Sequence, residues 1–208
     1  MQLLIFGATG SLGSHILKQA LAKGYKVSVF TRHPDRLKGI ESAELTIITG
    51  DVFRLSDVKS AMRGINAVFC ALGDGAKGNV RAGGTQNIVK AMEELGVKRL
   101  ICQTTLGVGN SWQNLNFFWK YIMFGFLLKK AFQDHIMQEK YVTESNLDYT
   151  LVRPSAFTDE PATANFHIGF NTKIKNLRLK IPRADVANFM LEQLDTDKFI
   201  GKIVNIST

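Results

Sequence analysis

Gly7-Ala8-Thr9-Gly10-Ser11-Leu12-Gly13 follows directly on an apolar run at residues 2–6 and opens a helical pattern over 12–23. A glycine-rich turn between a strand and a helix is the local geometry that cradles a pyrophosphate, because the helix start offers unpaired N–H groups and the positive end of its dipole. The spacing G-x-x-G-x-x-G gives each glycine a task. Gly7 allows the tight turn, Gly10 lets the backbone approach the phosphates, and Gly13 lets the helix pack close to the sheet. Thr9, Ser11 and Leu12 complete the phosphate-contacting stretch. The competing reading, a glycine-rich turn with no ligand, is disfavoured by the position directly after a strand.

Outward from this turn, short β-rich apolar runs recur at 2–6, 26–31, 45–49, 66–72, 98–104, 149–152 and 202–206, and helical patterns fall at 12–23, 56–63, 80–95, 115–145 and 184–194. Strands that alternate with helices and read as near-continuous Val/Ile/Leu runs predict a parallel sheet covered on both faces. Right-handed crossovers then predict a doubly wound, Rossmann-type α/β fold, a single domain over 1–208 with small C-terminal loops left to shape a substrate site. The tract 155–171 has few periodic positions and is expected to be a loop over the sheet's edge.

Composition narrows the function. With 208 residues, 45% hydrophobic and 21% charged, the chain can fill one ordinary core. The net charge of +8 admits nucleic acid, a membrane surface or small anionic ligands. The densest basic tract, 173–183, lacks the interleaved aromatics that stack on bases, so no nucleic acid is expected. Cys70 and Cys102 lie inside apolar runs and read as buried hydrophobes in a reducing compartment, and no metal site is expected from two cysteines and scattered histidines. The absence of a signal-peptide pattern points to a cytoplasmic protein. The most apolar stretch, 117–128, is too short to span a bilayer. It fits a core helix, a substrate lid, a dimer contact or a weak membrane or protein contact.

Which dinucleotide fits is decided at the end of the second strand, where an NAD site places a carboxylate against the ribose 2′-hydroxyl. Here the chain reads Val29-Phe30-Thr31-Arg32-His33-Pro34-Asp35-Arg36-Leu37-Lys38. Arg32 and Arg36 can grip a 2′-phosphate that a carboxylate would repel, so NADP(H) is the expected cofactor. Lys38 reads as a solvated charge and Asp35 as a turn residue.

Several stretches carry a family resemblance: Ile5-Phe6-Gly7-Ala8-Thr9-Gly10, Gly50-Asp51-Val52, Leu72-Gly73, Asp134-His135-Ile136 and Phe189-Met190-Leu191, the last continuing to Leu194-x-Thr196-Asp197-x-Phe199-x-Gly201. The chain resembles the atypical short-chain dehydrogenase/reductases, most closely the biliverdin reductase B group of NADPH-dependent flavin reductases, with NmrA-like NADP(H)-binding regulators as more distant kin. The resemblance implies that Asp51 and Val52 lie along the adenine, Leu72 and Gly73 beside the adenosine ribose, Thr104 and Thr105 near the nicotinamide, and Arg153, Pro154 and Ser155 across from them. Asp51 also fits a turn cap, and Gly73 a strand end.

Most of the superfamily carries a Tyr-x-x-x-Lys pair that protonates an alkoxide. In this chain no tyrosine is followed by lysine at that spacing; Lys140 matches the lysine, but Ile136 occupies the tyrosine position. Ketone reduction is therefore disfavoured. A flavin or linear tetrapyrrole spreads the incoming charge over a conjugated system, which fits a site that mainly holds two planar partners together. Thr105, supported by Thr104, is the expected catalytic hydroxyl and Lys140 a ribose contact, while His135 reads as a surface or capping residue. Trp112, Phe157 and Phe166 are the expected walls for a planar, anionic small molecule, with flavin as substrate rather than prosthetic group. A non-catalytic NADP(H)-binding sensor is the alternative.

Overall fold

The strand β1 (Gln2–Phe6) buries both of its faces, Leu3 and Ile5 into one apolar layer and Leu4 and Phe6 into the other. Alternation of side chains along a strand makes this the expected signature of a sheet covered on both sides. The computed structural model describes all 208 residues. After β1 come α1 (Gly13–Ala22), β2 (Lys26–Thr31), β3 (Leu45–Thr49), α2 (Leu55–Ala61), β4 (Ala67–Cys70), α3 (Arg81–Leu95) and β5 (Arg99–Gln103). The second half holds α4 (Lys129–Thr143), β6 (Asp148–Pro154), β7 (Ala156–Thr158), β8 (His167–Ile168), β9 (Lys180–Pro182), α5 (Arg183–Glu192) and β10 (Lys202–Ser207).

The main sheet runs β3-β2-β1-β4-β5-β6-β10-β8, parallel throughout except for the antiparallel edge strand β8. On one face α1 and α5 bury Ile16, Leu17, Val186 and Met190; on the other α2, α3 and α4 bury Val58, Ile88, Met92 and Val142. The chain leaves β1 toward β2 and β3, then returns to place β4 on β1's other side. The crevice between β1 and β4 is thus the topological switch point, where ligands bind in open parallel sheets. The expected doubly wound Rossmann-type fold is the one observed.

Two expectations need correction. The single helix predicted over 115–145 is broken: a 3-10 turn at Gly109–Asn114 is followed by a π-helix, Phe118–Leu127, and α4 begins anew at Lys129. Leu128 donates to the Met123 carbonyl at 2.6 Å and accepts from Phe132 at 2.8 Å, so it ends one helix and starts the other. The two parts bury different faces, which a hydrophobic pattern read as one helix merges. The tract 155–171 is not wholly a loop. β7 pairs with β9, and β8 pairs with β10, partners more than twenty residues away that local periodicity does not reveal. Between those two strands Asp185 accepts from the Thr163 and Ala164 amides at 2.9 Å each, fastening the tract to the start of α5.

Candidate functional site

A cleft of about 740 Å³ opens at the carboxyl ends of the parallel strands. Its floor is the turn after β1. Gly7 has φ +87, and a Cβ there would overlap the Ala71 carbonyl on β4's exit; a Cβ on Gly13 would overlap the Gly7 carbonyl and sit 2.9 Å from Ala8 Cα. Only glycine allows the turn and helix to close this tightly. Gly10 donates to Gly7 at 2.9 Å, while the Ser11, Leu12 and Gly13 amides donate to no carbonyl. These three N–H groups at the start of α1 are free to donate to an anion, as the glycine spacing predicts. Thr9, Gly10, Ser11 and Leu12 line the cleft.

At one end of the cleft Arg32 and Arg36 lie exposed on its wall and form no ion pair. Lys38 instead pairs with Asp35 at 2.7 Å in solvent, as expected. Val52, Leu72 and Gly73 line the cleft as well. Asp51 does not: its carboxylate accepts the Phe53 amide at 3.0 Å and its own amide donates to Asp57 at 3.0 Å, closing the turn after β3. The residues present fit a dinucleotide carrying an extra phosphate. Unpaired amides at the start of α1 and unpartnered guanidiniums after β2 offer donors for its phosphates.

At the other end Thr104 and Thr105 follow β5 and both line the cleft. Thr104 is fully buried, and its hydroxyl donates to Glu139 Oε1 at 2.7 Å. Glu139 in turn receives Arg153 through both oxygens, at 2.8 Å and 2.5 Å, and Arg153 also donates to Asn110 at 2.9 Å. Arg153, expected to flank the nicotinamide, is therefore turned into the protein, where it neutralises a buried carboxylate. Its neighbours Pro154 and Ser155 do line the cleft, and Ser155 Oγ is buried without a hydrogen-bond partner. That hydroxyl can still donate to a ligand.

The helix α4 presents a face one residue out of step with the expected one. Lys140 is exposed, 3.9 Å from Glu144, and away from the cleft; Ile136 is also exposed. Inward point Asp134, His135, Gln138 and Glu139. His135, which the sequence placed at the surface, is buried on the cleft wall. Burial, and then the Arg81 cation, push its pKa down to about 3, so it is neutral at physiological pH. Gln138 donates its amide to Thr85 at 3.1 Å and Cys102 at 3.3 Å, leaving Oε1 to accept from His135 Nδ1 at 3.1 Å. That bond assigns the proton to Nδ1 and leaves Nε2 as an acceptor. Asp134 caps α3, accepting the Arg81 and Ala82 amides at 2.9 Å each.

The apolar wall also differs from expectation. Phe157 lines the cleft, with the Arg183 guanidinium 5.2 Å over its ring. Trp112 is not on the wall; it packs on Phe132 at 5.6 Å. Phe166 packs edge-on against Phe189 at 6.2 Å in the core. Their places are taken by Trp119, Phe124 and Leu128 from the π-helix and its end. Aromatic content did single out this segment, but not which of its faces meets the cleft. No group of three or more His, Cys, Asp or Glu side chains is arranged to hold a metal ion.

A glycine-rich turn at the switch point of a doubly wound parallel sheet is the geometry of a dinucleotide-binding Rossmann fold. The chain belongs to the NAD(P)H-binding family, whose model matches residues 7–197. Among solved structures it is similar to the anaerobillin reductase ChuY from Escherichia coli, with TM-score 0.85, 25% identity and coverage of 100% of this chain and 97% of that one. The oxidoreductase ylbE from Lactococcus lactis matches with TM-score 0.84 and 25% identity over 100% of this chain and 91% of that one. A short-chain dehydrogenase/reductase from Veillonella parvula in complex with NADP shares the fold, with TM-score 0.85 at 18% identity over 100% and 94% of the two chains. Among curated proteins, human sterol-4-alpha-carboxylate 3-dehydrogenase is 32% identical over 111 residues, 50% of this chain and 29% of that one. A chloroplastic protein of Arabidopsis thaliana is 29% identical over 177 residues, 79% of this chain and 62% of its own. The chain thus spans less than two thirds of the curated relatives it matches first.

Proposed function

We propose that this protein is an NADPH-dependent reductase of a planar conjugated acceptor, a flavin such as FMN or riboflavin or a linear tetrapyrrole of the biliverdin kind. The observation that carries the reading is the pairing of a cavity walled in part by aromatic rings with an α4 face that presents neither a tyrosine nor a lysine to protonate an alkoxide. Ile136 faces solvent and His135 is neutral with Nε2 an acceptor. NADPH, when bound, supplies hydride; the chain's own residues bind, orient and exclude water. The Ser11, Leu12 and Gly13 amides hold the pyrophosphate, Arg32 and Arg36 the 2′-phosphate, and Val52, Leu72 and Gly73 the adenosine. Thr105 and Ser155 hydroxyls and His135 Nε2 orient the polar edges of the two planar partners, while Phe157, Trp119 and Phe124 enclose them. Thr104 acts through Glu139, fixing the β5 exit. The full-coverage likeness to an anaerobillin reductase supports the tetrapyrrole branch.

The test is NADPH oxidation with FMN, riboflavin, biliverdin and a simple ketone. Turnover with a planar acceptor and none with the ketone is expected. Tight NADPH binding with no turnover on any of these would defeat the reading in favour of a dinucleotide sensor.

A further inference from the structure

The π-helix has a second face that the cleft does not use. Trp119, Phe124 and Leu128 turn toward the cleft. Phe117, Phe118, Tyr121, Ile122, Phe126 and Leu127 are exposed, Phe117 by 71% and Phe126 by 80%. Isolated apolar side chains at a surface are ordinary, but six on one short segment form a patch of the kind that marks an interaction site.

Charge decides what covers it. Residues 115–133 contain Lys120, Lys129 and Lys130 and no acid; residues 161–184 contain Lys173, Lys175, Arg178, Lys180 and Arg183 and no acid. The two segments are bound together: Asn114 accepts the Ile174 amide at 2.9 Å, Gln113 donates to the Asn171 carbonyl at 3.0 Å, and Leu177 packs into the same small cluster as Trp119. Seven of these eight basic residues form no ion pair, whereas Arg183 pairs with Asp159 at 2.6 Å on the cleft side, so unpaired cations of the two segments supply most of the net charge of +8. A second copy would bring the same positive field and be repelled. An anionic lipid surface offers both an apolar interior for the rings and negative headgroups for the lysines. No helix is long and apolar enough to cross a membrane, so the contact lies in the interface plane.

We propose that this face docks the protein on an anionic bilayer, with Phe117, Phe118, Phe126 and Leu127 at the acyl boundary and Lys120, Lys129 and Lys130 among the headgroups. Because Trp119, Phe124 and Leu128 of the same segment wall the cleft, docking holds the acceptor end of the cleft beside the headgroups. That consequence rests on the reductase reading; the docking does not.

The experiment is sedimentation of the full chain with phosphatidylcholine vesicles, with and without phosphatidylglycerol, in the absence of cofactor. Binding to the phosphatidylglycerol vesicles alone, weakened by salt, is expected. Phe117→Ser with Phe126→Ser should cut the partition coefficient at least about tenfold, since each ring loses its apolar burial. Lys129→Glu with Lys130→Glu should do the same through charge. Both variants alter exposed residues, and unchanged thermal melting and NADPH binding would show that they fold. No binding, equal binding to both vesicles, or binding indifferent to the Phe variant overturns the proposal. So does a dimer in analytical ultracentrifugation that the Phe variant abolishes, which would assign the face to a second copy.

Discussion

His135 and Glu139 stand one helical turn apart on the inward face of α4, the imidazole on the cleft wall and the carboxylate 2.7 Å from the Thr104 hydroxyl. They have the i, i+4 spacing expected from the resemblance for a Tyr-x-x-x-Lys pair, one residue ahead of the expected register. Side chains on a helix advance by about 100° per residue, so this offset moves Ile136 and Lys140 from the cleft to solvent. The same offset puts a charge inside the protein and makes Arg153 necessary to balance it.

Breaking that balance should be costly. Arg153→Met leaves Glu139 buried without its cation, and a loss of about 3–5 kcal/mol of stability is expected by urea unfolding. Lys140→Ala removes only a solvated charge, and both its stability and its NADPH turnover should match the parent. A Lys140 variant that loses most of its activity would restore the lysine to the site.

The buried imidazole makes stability depend on pH. In the unfolded chain His135 titrates near 6.5, and in the folded chain near 3. Between those values the unfolded state holds the extra proton, so this contribution is whole above pH 6.5 and falls as pH drops toward 3, by about 1.4 kcal/mol per unit. Urea titrations over that range should show a slope that His135→Gln reduces by about one proton. An unchanged slope would mean that the imidazole is protonated in the fold.

Arg32 and Arg36 differ from Lys38 in having no carboxylate partner. Arg32→Ala with Arg36→Ala should weaken NADPH binding by roughly 10- to 100-fold, because a charge-assisted hydrogen bond from each guanidinium to the phosphate contributes about 1 kcal/mol or more even in solvent. NADH binding should change little. Equal weakening of both dinucleotides in calorimetric titration would remove the 2′-phosphate assignment.

The two tryptophans should separate wall from support. Trp119→Ala strips a ring from the cleft and should raise the acceptor KM several-fold beyond any loss of stability, since both tryptophans are half-buried and each packs on one phenylalanine at 5.6 Å but only Trp119 lines the cleft. Trp112→Ala removes a ring packed on Phe132 and should lower the melting temperature first. The opposite pattern in steady-state kinetics and melting would return Trp112 to the acceptor site.

Gly13→Ala adds one methyl against the Gly7 carbonyl, backbone that cannot give way without opening the cradle. Loss of both dinucleotides in binding assays is expected, in contrast to the NADPH-selective arginine variant. Retained NADH binding in Gly13→Ala would mean that the turn is not the anion site.

Much of the architecture was legible because it is local. The bounds of β1, β2 and β3 agree with the apolar runs that predict them, and Gly7 and Gly13 take the tight approaches that their spacing implies. The site was legible where it hangs on those elements: the glycine turn, Arg32, Leu72, Thr104 and Pro154 all sit at strand ends facing the crevice. Asp51 took the turn cap that the sequence also offered, and Lys140 followed the register of α4, while Trp112, Phe166 and Arg153 were misplaced for a common reason. A side chain's type says what it can bind, but its direction depends on partners far along the chain, such as Glu139 for Arg153 and Phe189 for Phe166.

The amino-acid sequence by itself determined the doubly wound sheet, the glycine turn at its switch point and the two unpaired arginines after β2, since each rests on strand period, glycine conformation and charge within a few neighbouring residues. Only the tertiary structure decided which face of α4 meets the cleft, that residues 118–127 wall it and still leave an apolar surface outside, and that the segment holding Ile174 and Leu177 is bound beside them through Asn114 and Trp119. These depend on how elements more than forty residues apart pack together, and packing is set by burial summed over the whole molecule rather than by any stretch of it.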